Sequence, residues 1–161
     1  MTSPENASTD DAMPTRPDDA GAGALFDAIG VEHATIYGYG VVSAHSTPEL
    51  NYLVSDAIAE HRARREAAIA LIEAQGAEAA MPAAGYAMPM EIDSPTDAEN
   101  LAVRMEEDTA TAWRAVVEQT ADQQVRAFAV TALTECAVTA ARWRAARGDA
   151  TVTVAFPGGS E

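Results

Sequence analysis

Along this chain apolar residues recur at the three-to-four spacing of a helix in four separate segments. Leu25, Phe26, Ile29, Ile36 and Tyr39 share one stripe of a helix over about 22–44. A second helix opens at "STPEL", with Thr47 as N-cap, Pro48 at the first helical position and Glu49 in the first turn. Its stripe is Leu50, Val54, Ala57, Ala68 and Ile72, and it closes at Gln75-Gly76, where glycine suits the residue after the cap. A third opens at "SPTD", Ser94 capping and Asp97 complementing the helix dipole, with Leu101, Met105, Thr109, Ala112 and Val116 in line. A fourth opens at Thr120, which with Gln123 reads as a capping box. It carries Val125, Phe128, Ala129, Ala132, Cys136 and Trp143 and ends near Arg147-Gly148. Beyond it, Val152, Val154 and Phe156 alternate; a single strand has no ladder partner here, so an extended strap on the bundle is expected.

The links set the topology. Helices 1 and 2, and helices 3 and 4, are joined by a few residues, which makes antiparallel neighbours. Residues 76–93 are different, holding prolines, glycines, three methionines and Tyr86. A helix of ~25 residues is ~37 Å long, and an extended linker of this length reaches ~55–60 Å. It can therefore run from one end of the bundle to the other and leave helices 2 and 3 parallel. The expected fold is all-α: a four-helix bundle of two hairpins joined by one long crossover between helices 2 and 3. Residues 1–20 lack apolar anchors and read as a disordered acidic tail before a domain over 21–161.

Polar residues interrupt these stripes at mid-helix. On a 100° wheel His61 falls at the centre of its stripe, flanked by Arg64 and Arg65, with Glu60 at the edge. Glu32 and His33 lie on either side of theirs, Glu106 flanks the third stripe near Trp113, and Glu135 borders the fourth. Buried carboxylates require a counter-charge, from a cation or from the arginines, or else a proton. Plainer readings stand beside this one. Glu60 with Arg64 makes an i,i+4 surface pair, and Glu106, Glu107 and Asp108 form a solvated acidic face. Cys136 is a small core residue, Tyr37 and Tyr39 pack, and Gly38 and Gly40 permit a close crossing or a kink.

Charge narrows the classes of function. The 161 residues hold 25 acidic groups against ten arginines and no lysine, a formal net charge of −15. Such a surface repels phosphate backbones and anionic membranes, so neither nucleic acid nor membrane is an expected partner. A homo-oligomer or a protein partner stays open. One cysteine allows no internal disulfide, the N-terminal segment lacks the basic and apolar regions of a secretory signal, and the cytoplasm is the expected location.

The segments "VEHATIYGYGVV", "AEHRARRE", "ENLAVRMEEDTATAWRAV" and the closing "AFPG" resemble the ferritin-like superfamily, and within it an actinobacterial ferritin-like domain family of unknown function. The resemblance covers about residues 22–157. It implies a mid-bundle carboxylate site, with a Glu on each of two helices and Glu-x-x-His on the other two. Glu32, Glu60, Glu106 and Glu135 supply one glutamate per helix, but Ala63 and Val138 stand where the histidines belong. Histidine instead follows glutamate directly, as His33 and His61, about 100° away on the helix. The candidate metal ligands are Glu32, His33, Glu60, His61, Glu106 and Glu135, for iron or manganese, with the standard di-iron motif incomplete. Two other readings compete: a metal-free binding or assembly module whose interior carboxylates are neutralised by arginine, and a small-molecule site walled by Tyr86, the crossover methionines and Trp113. No catalytic residue is assigned.

Overall fold

A computed structural model describes residues 13–159. Its four helices are α1 (Ala20–His45), α2 (Asn51–Ala74), α3 (Pro95–Gln119) and α4 (Gln123–Arg147), with a 3₁₀ turn over Pro48–Leu50 before α2. No strand occurs among the described residues, and no helix among them is long and apolar enough to cross a membrane.

Local chemistry explains the helix ends. Asp19 caps α1 by accepting from the Ala22 amide at 2.8 Å. Ser94 caps α3 through the Asp97 amide, and Pro95 follows it at the first helical position. Gly76 and Gly148, with φ of 79° and 84°, end α2 and α4 in the left-handed conformation that glycine tolerates. Two sequence expectations are corrected. Thr47 precedes a 3₁₀ turn and makes no side-chain cap bond, so α2 proper begins at Asn51. Thr120 ends α3; α4 is capped by Asp122, whose Oδ1 accepts from the amides of Gln124 and Val125.

Antiparallel pairing of α1 with α3 is fixed by contacts that run in opposite order, Glu32 to Trp113 and Tyr39 to Glu106. Contacts of Arg64 with Cys136 and of Glu60 with Thr139 show the same for α2 and α4. The core divides into two apolar clusters. One holds Leu25, Ile29, Ile72, Trp113, Val116 and Val125; the other holds Val42, Leu53, Val54, Leu101 and Trp143. The end of α2 therefore lies in the first cluster and the start of α3 in the second. The connecting segment crosses the full bundle: Ala80 is buried in the first cluster, Tyr86 packs on Tyr37 with ring centroids 5.4 Å apart, and Met88, Met90 and Ile92 cover the second.

Of the acidic segment expected over 1–20, residues 1–12 lie outside the described residues. Residues 13–19 form no helix, and Arg16 pairs with Asp27 of α1 at 2.8 Å. The C-terminal strap is irregular over 151–154 and bends and turns over 155–159. Arg144 Nη1 donates to the Val152 carbonyl at 3.1 Å, and Gly158 sits so close to α3 that a Cβ there would lie 2.6 Å from the Ala110 carbonyl oxygen.

Candidate functional site

Between the two apolar clusters lies a layer of charge. Glu32, His61, Arg64 and Glu106 are 0%, 1%, 5% and 1% exposed. Each faces inward because it falls on its helix's buried stripe, and the antiparallel pairing brings the four to one level. His61 lies between the two carboxylates. Its Nδ1 is 2.6 Å from Glu32 Oε2 and its Nε2 is 3.0 Å from Glu106 Oε1. With both carboxylates ionised His61 donates from both nitrogens as the imidazolium, and Arg64 Nη1 stands 3.1 Å from the same Nδ1. Burial lowers the His61 pKa, but the hydrogen bonds and charges of Glu106 and Glu32 outweigh it and raise the value to about 9.

Aromatic donors complete the shell. Trp113 Nε1 donates to Glu32 Oε1 at 2.7 Å, and Tyr39 donates to Glu106 Oε1 at 2.5 Å. Trp143 Nε1 in turn donates to the Tyr39 oxygen at 3.0 Å. Arg64 Nη1 reaches Glu32 Oε1 and Cys136 Sγ, each at 3.3 Å, while Nη2 donates to Glu135 Oε2 at 3.0 Å. Burial pushes the Glu32 carboxyl up, yet His61, Arg64 and Trp113 together hold it below its ordinary value. Burial, reinforced by Glu106, pushes the Cys136 thiol and the Tyr39 phenol well above theirs. Neither supplies a ready nucleophile or base near neutrality. Glu106 Oε2 and Arg64 Nε are buried without a hydrogen-bond partner among the described residues.

The remaining candidates lie elsewhere. His33 turns to the crossover and bonds the Ala80 carbonyl through Nε2 at 3.1 Å; burial lowers its pKa. It does not approach Glu106 or Glu135. Glu60 sits at the outer seam of α2 and α4, its side chain 40% exposed, 3.9 Å from Arg142. It does not pair with Arg64. Glu135 is at the rim, its side chain 49% exposed. Arg65 bonds Glu66 on the surface.

These donors, as placed, do not fit a ferritin-like di-metal centre. The imidazolium occupies the space between the two inner carboxylates, the guanidinium lies against one of them, and two of the four glutamates are peripheral. Among the described residues no three His, Cys, Asp or Glu side chains converge as a metal-binding group. The wheel alone did not identify the roles of Tyr39, Trp113, Trp143 and Cys136. A signal was present: Tyr39 and Trp113 each lie seven residues, two turns, beyond a central glutamate, and a buried Tyr or Trp requires a polar partner.

Residues 24–161 match the family described as Domain of unknown function (DUF4439). In structure the chain is similar to a conserved hypothetical protein from Mycobacterium tuberculosis, with 55% identity and a TM-score of 0.78 over 81% of this chain and 98% of that one. No curated protein matches.

Proposed function

The chain belongs to the domain-of-unknown-function family DUF4439, and from that premise we propose that it is a ferritin-like bundle whose mid-bundle site has exchanged metal for fixed protein cations and which acts as a binding or assembly module. One observation carries the reading: His61 bridges Glu32 and Glu106 at 2.6 and 3.0 Å, with Arg64 against Glu32. Two buried carboxylates meet two buried cations, so the layer is neutral without a bound ion. The single crossover between two antiparallel hairpins supports the ferritin-like descent. The inertness of the thiol and phenol at the site favours binding over catalysis.

Two measurements on untagged protein test this. After incubation with iron(II) or manganese(II) and desalting, elemental analysis is expected to find neither metal in stoichiometric amount; stoichiometric retention would overturn the reading. Glu32→Gln keeps the shape and removes one buried charge. It is expected to destabilise the metal-free protein by ~3–5 kcal/mol in urea unfolding, the cost of leaving a buried partner unpaired. A repulsive ligand set waiting for its metal would instead be relieved by the same change.

A further inference from the structure

Arg64 has more hydrogen-bonding capacity than the buried layer uses, and a groove between α2 and α4 leads to it. The groove is an open cleft of about 280 Å³ whose lining is Ala63, Ala67, Phe128, Thr131 and Ala132, with the Arg64 guanidinium and two carboxylates, Glu60 and Glu135. Arg64 Nη1 belongs to the interior, where it meets Glu32. Nη2 is held by Glu135, a side chain half open to solvent whose carboxylate has no other hydrogen bond among the described residues. The buried layer balances without Glu135, two carboxylates against two cations. Nε has no acceptor among the described residues. The protein thus seats one of its own carboxylates on a guanidinium that does not need it for charge neutrality, beside apolar walls that this glutamate does not fill.

We propose that this groove is a binding site for a small carboxylate with a short apolar tail, and that Glu135 is its intramolecular stand-in. The ligand carboxylate takes the place of Glu135 on Arg64 Nη2, its tail lies against Phe128 and the three alanines, and Glu135 swings into solvent. Glu135 is half exposed while Arg64 is buried, and the exchange replaces one carboxylate with another, so the guanidinium is never left unpaired at Nη2. The volume lies just below the ~300–1,000 Å³ of drug-sized pockets, which limits the tail to a few carbons. Of the other charges at the seam, Glu60 is drawn toward Arg142 and Thr139 and away from the guanidinium. The proposal rests on the metal-free reading of the layer, because Arg64 must be free to serve as a fixed cation, and it names the ligand class for the binding module.

Butyrate and butylammonium are suitable probes, titrated against the full chain while the Arg64 Nε–H and Phe128 signals are followed by NMR. Butyrate is expected to shift both, and butylammonium neither. Glu135→Ala removes the competitor and is expected to tighten butyrate at least several-fold. Ala132→Leu, which fills the groove and leaves both charges in place, is expected to abolish binding. Unchanged or weaker butyrate affinity in Glu135→Ala, shifts outside the groove, or a preference for butylammonium would each overturn the proposal. Elemental analysis of the same samples separates the two failures: no metal and no butyrate binding sinks this proposal alone, whereas stoichiometric metal sinks the metal-free reading and this proposal with it.

Discussion

His61 carries a pKa shift that has a direct consequence for stability. Its value is raised from 6.5 to about 9 in the folded state, so the stabilisation it brings is complete below about 6.5 and is lost as pH rises through about 9. Glu32 is shifted the other way, below 4.5; its contribution is complete above 4.5 and is lost in acid as pH falls through the lowered value. The melting temperature is therefore expected to form a plateau between these limits and to decline on both sides. On the alkaline side the loss attributable to His61 is about 3 kcal/mol. Thermal scans of wild type and His61→Gln check this: the variant should be less stable at pH 6 and should show a shallower alkaline decline. The inward placement of His61 was legible from helix spacing; Glu32, Arg64 and Glu106 fell beside their stripes, and Glu106 read equally as part of a solvated acidic face. The turn of His33 to its buried contact with Ala80 was not legible, nor were the rim positions of Glu60 and Glu135. Each lies near a stripe's border, where tens of degrees decide between core and rim, and the neighbour that settles it (Ala80 for His33, Arg142 for Glu60) comes from a distant part of the chain.

Among the elements, α1 packs closely on α3, and its glycines divide accordingly. A Cβ on Gly21 would stand 2.9 Å from Thr120 Cα, a backbone atom that cannot turn aside. On Gly38 it would strike Met105 Sδ, part of a flexible side chain. On Gly40 it would meet nothing within 4 Å. Gly21→Ala is expected to cost ~1–3 kcal/mol by overpacking, whereas Gly40→Ala should gain ~0.5–1 kcal/mol by restricting the unfolded chain and favouring helix. Urea unfolding of the two variants measures the difference in sign. Sequence placed both Gly38 and Gly40 at a crossing or kink, and only Gly38 serves one; a glycine pattern reveals permission for close approach, not where the neighbouring helix lies. The misplaced cap at Thr120 has a similar cause. Thr120 and Asp122 are both competent caps two residues apart, and packing of α3 through Val116 chose between them by keeping Thr120 as the end of α3, where its amide donates to the Val116 carbonyl at 3.0 Å.

For the molecule as a whole, link length carried the topology. Three residues between α3 and α4 leave room for nothing but a hairpin, while 76–93 is long enough to traverse the bundle. Spin labels at Gln75 and Asp97 are expected to lie about one helix length apart, ~36 Å for a helix of this size. A separation near ~10 Å would require up-down-up-down order.

The layer of charge between two apolar clusters has one more effect. The helices here are rich in alanine, and alanine stripes fit one another nearly as well at several offsets. Were α2 to slide along its neighbours by one turn, Ala57 or Arg65 would stand where His61 now bridges Glu32 and Glu106. One displacement strands two carboxylates in the core, and the other replaces a planar, two-sided donor with a long side chain. An unpaired buried charge costs ~3–5 kcal/mol, a large share of the stability of a domain this size. The bundle is in this sense keyed: the mid-helix charges act as a notch that makes one axial register of four otherwise interchangeable alanine surfaces far more favourable than the rest.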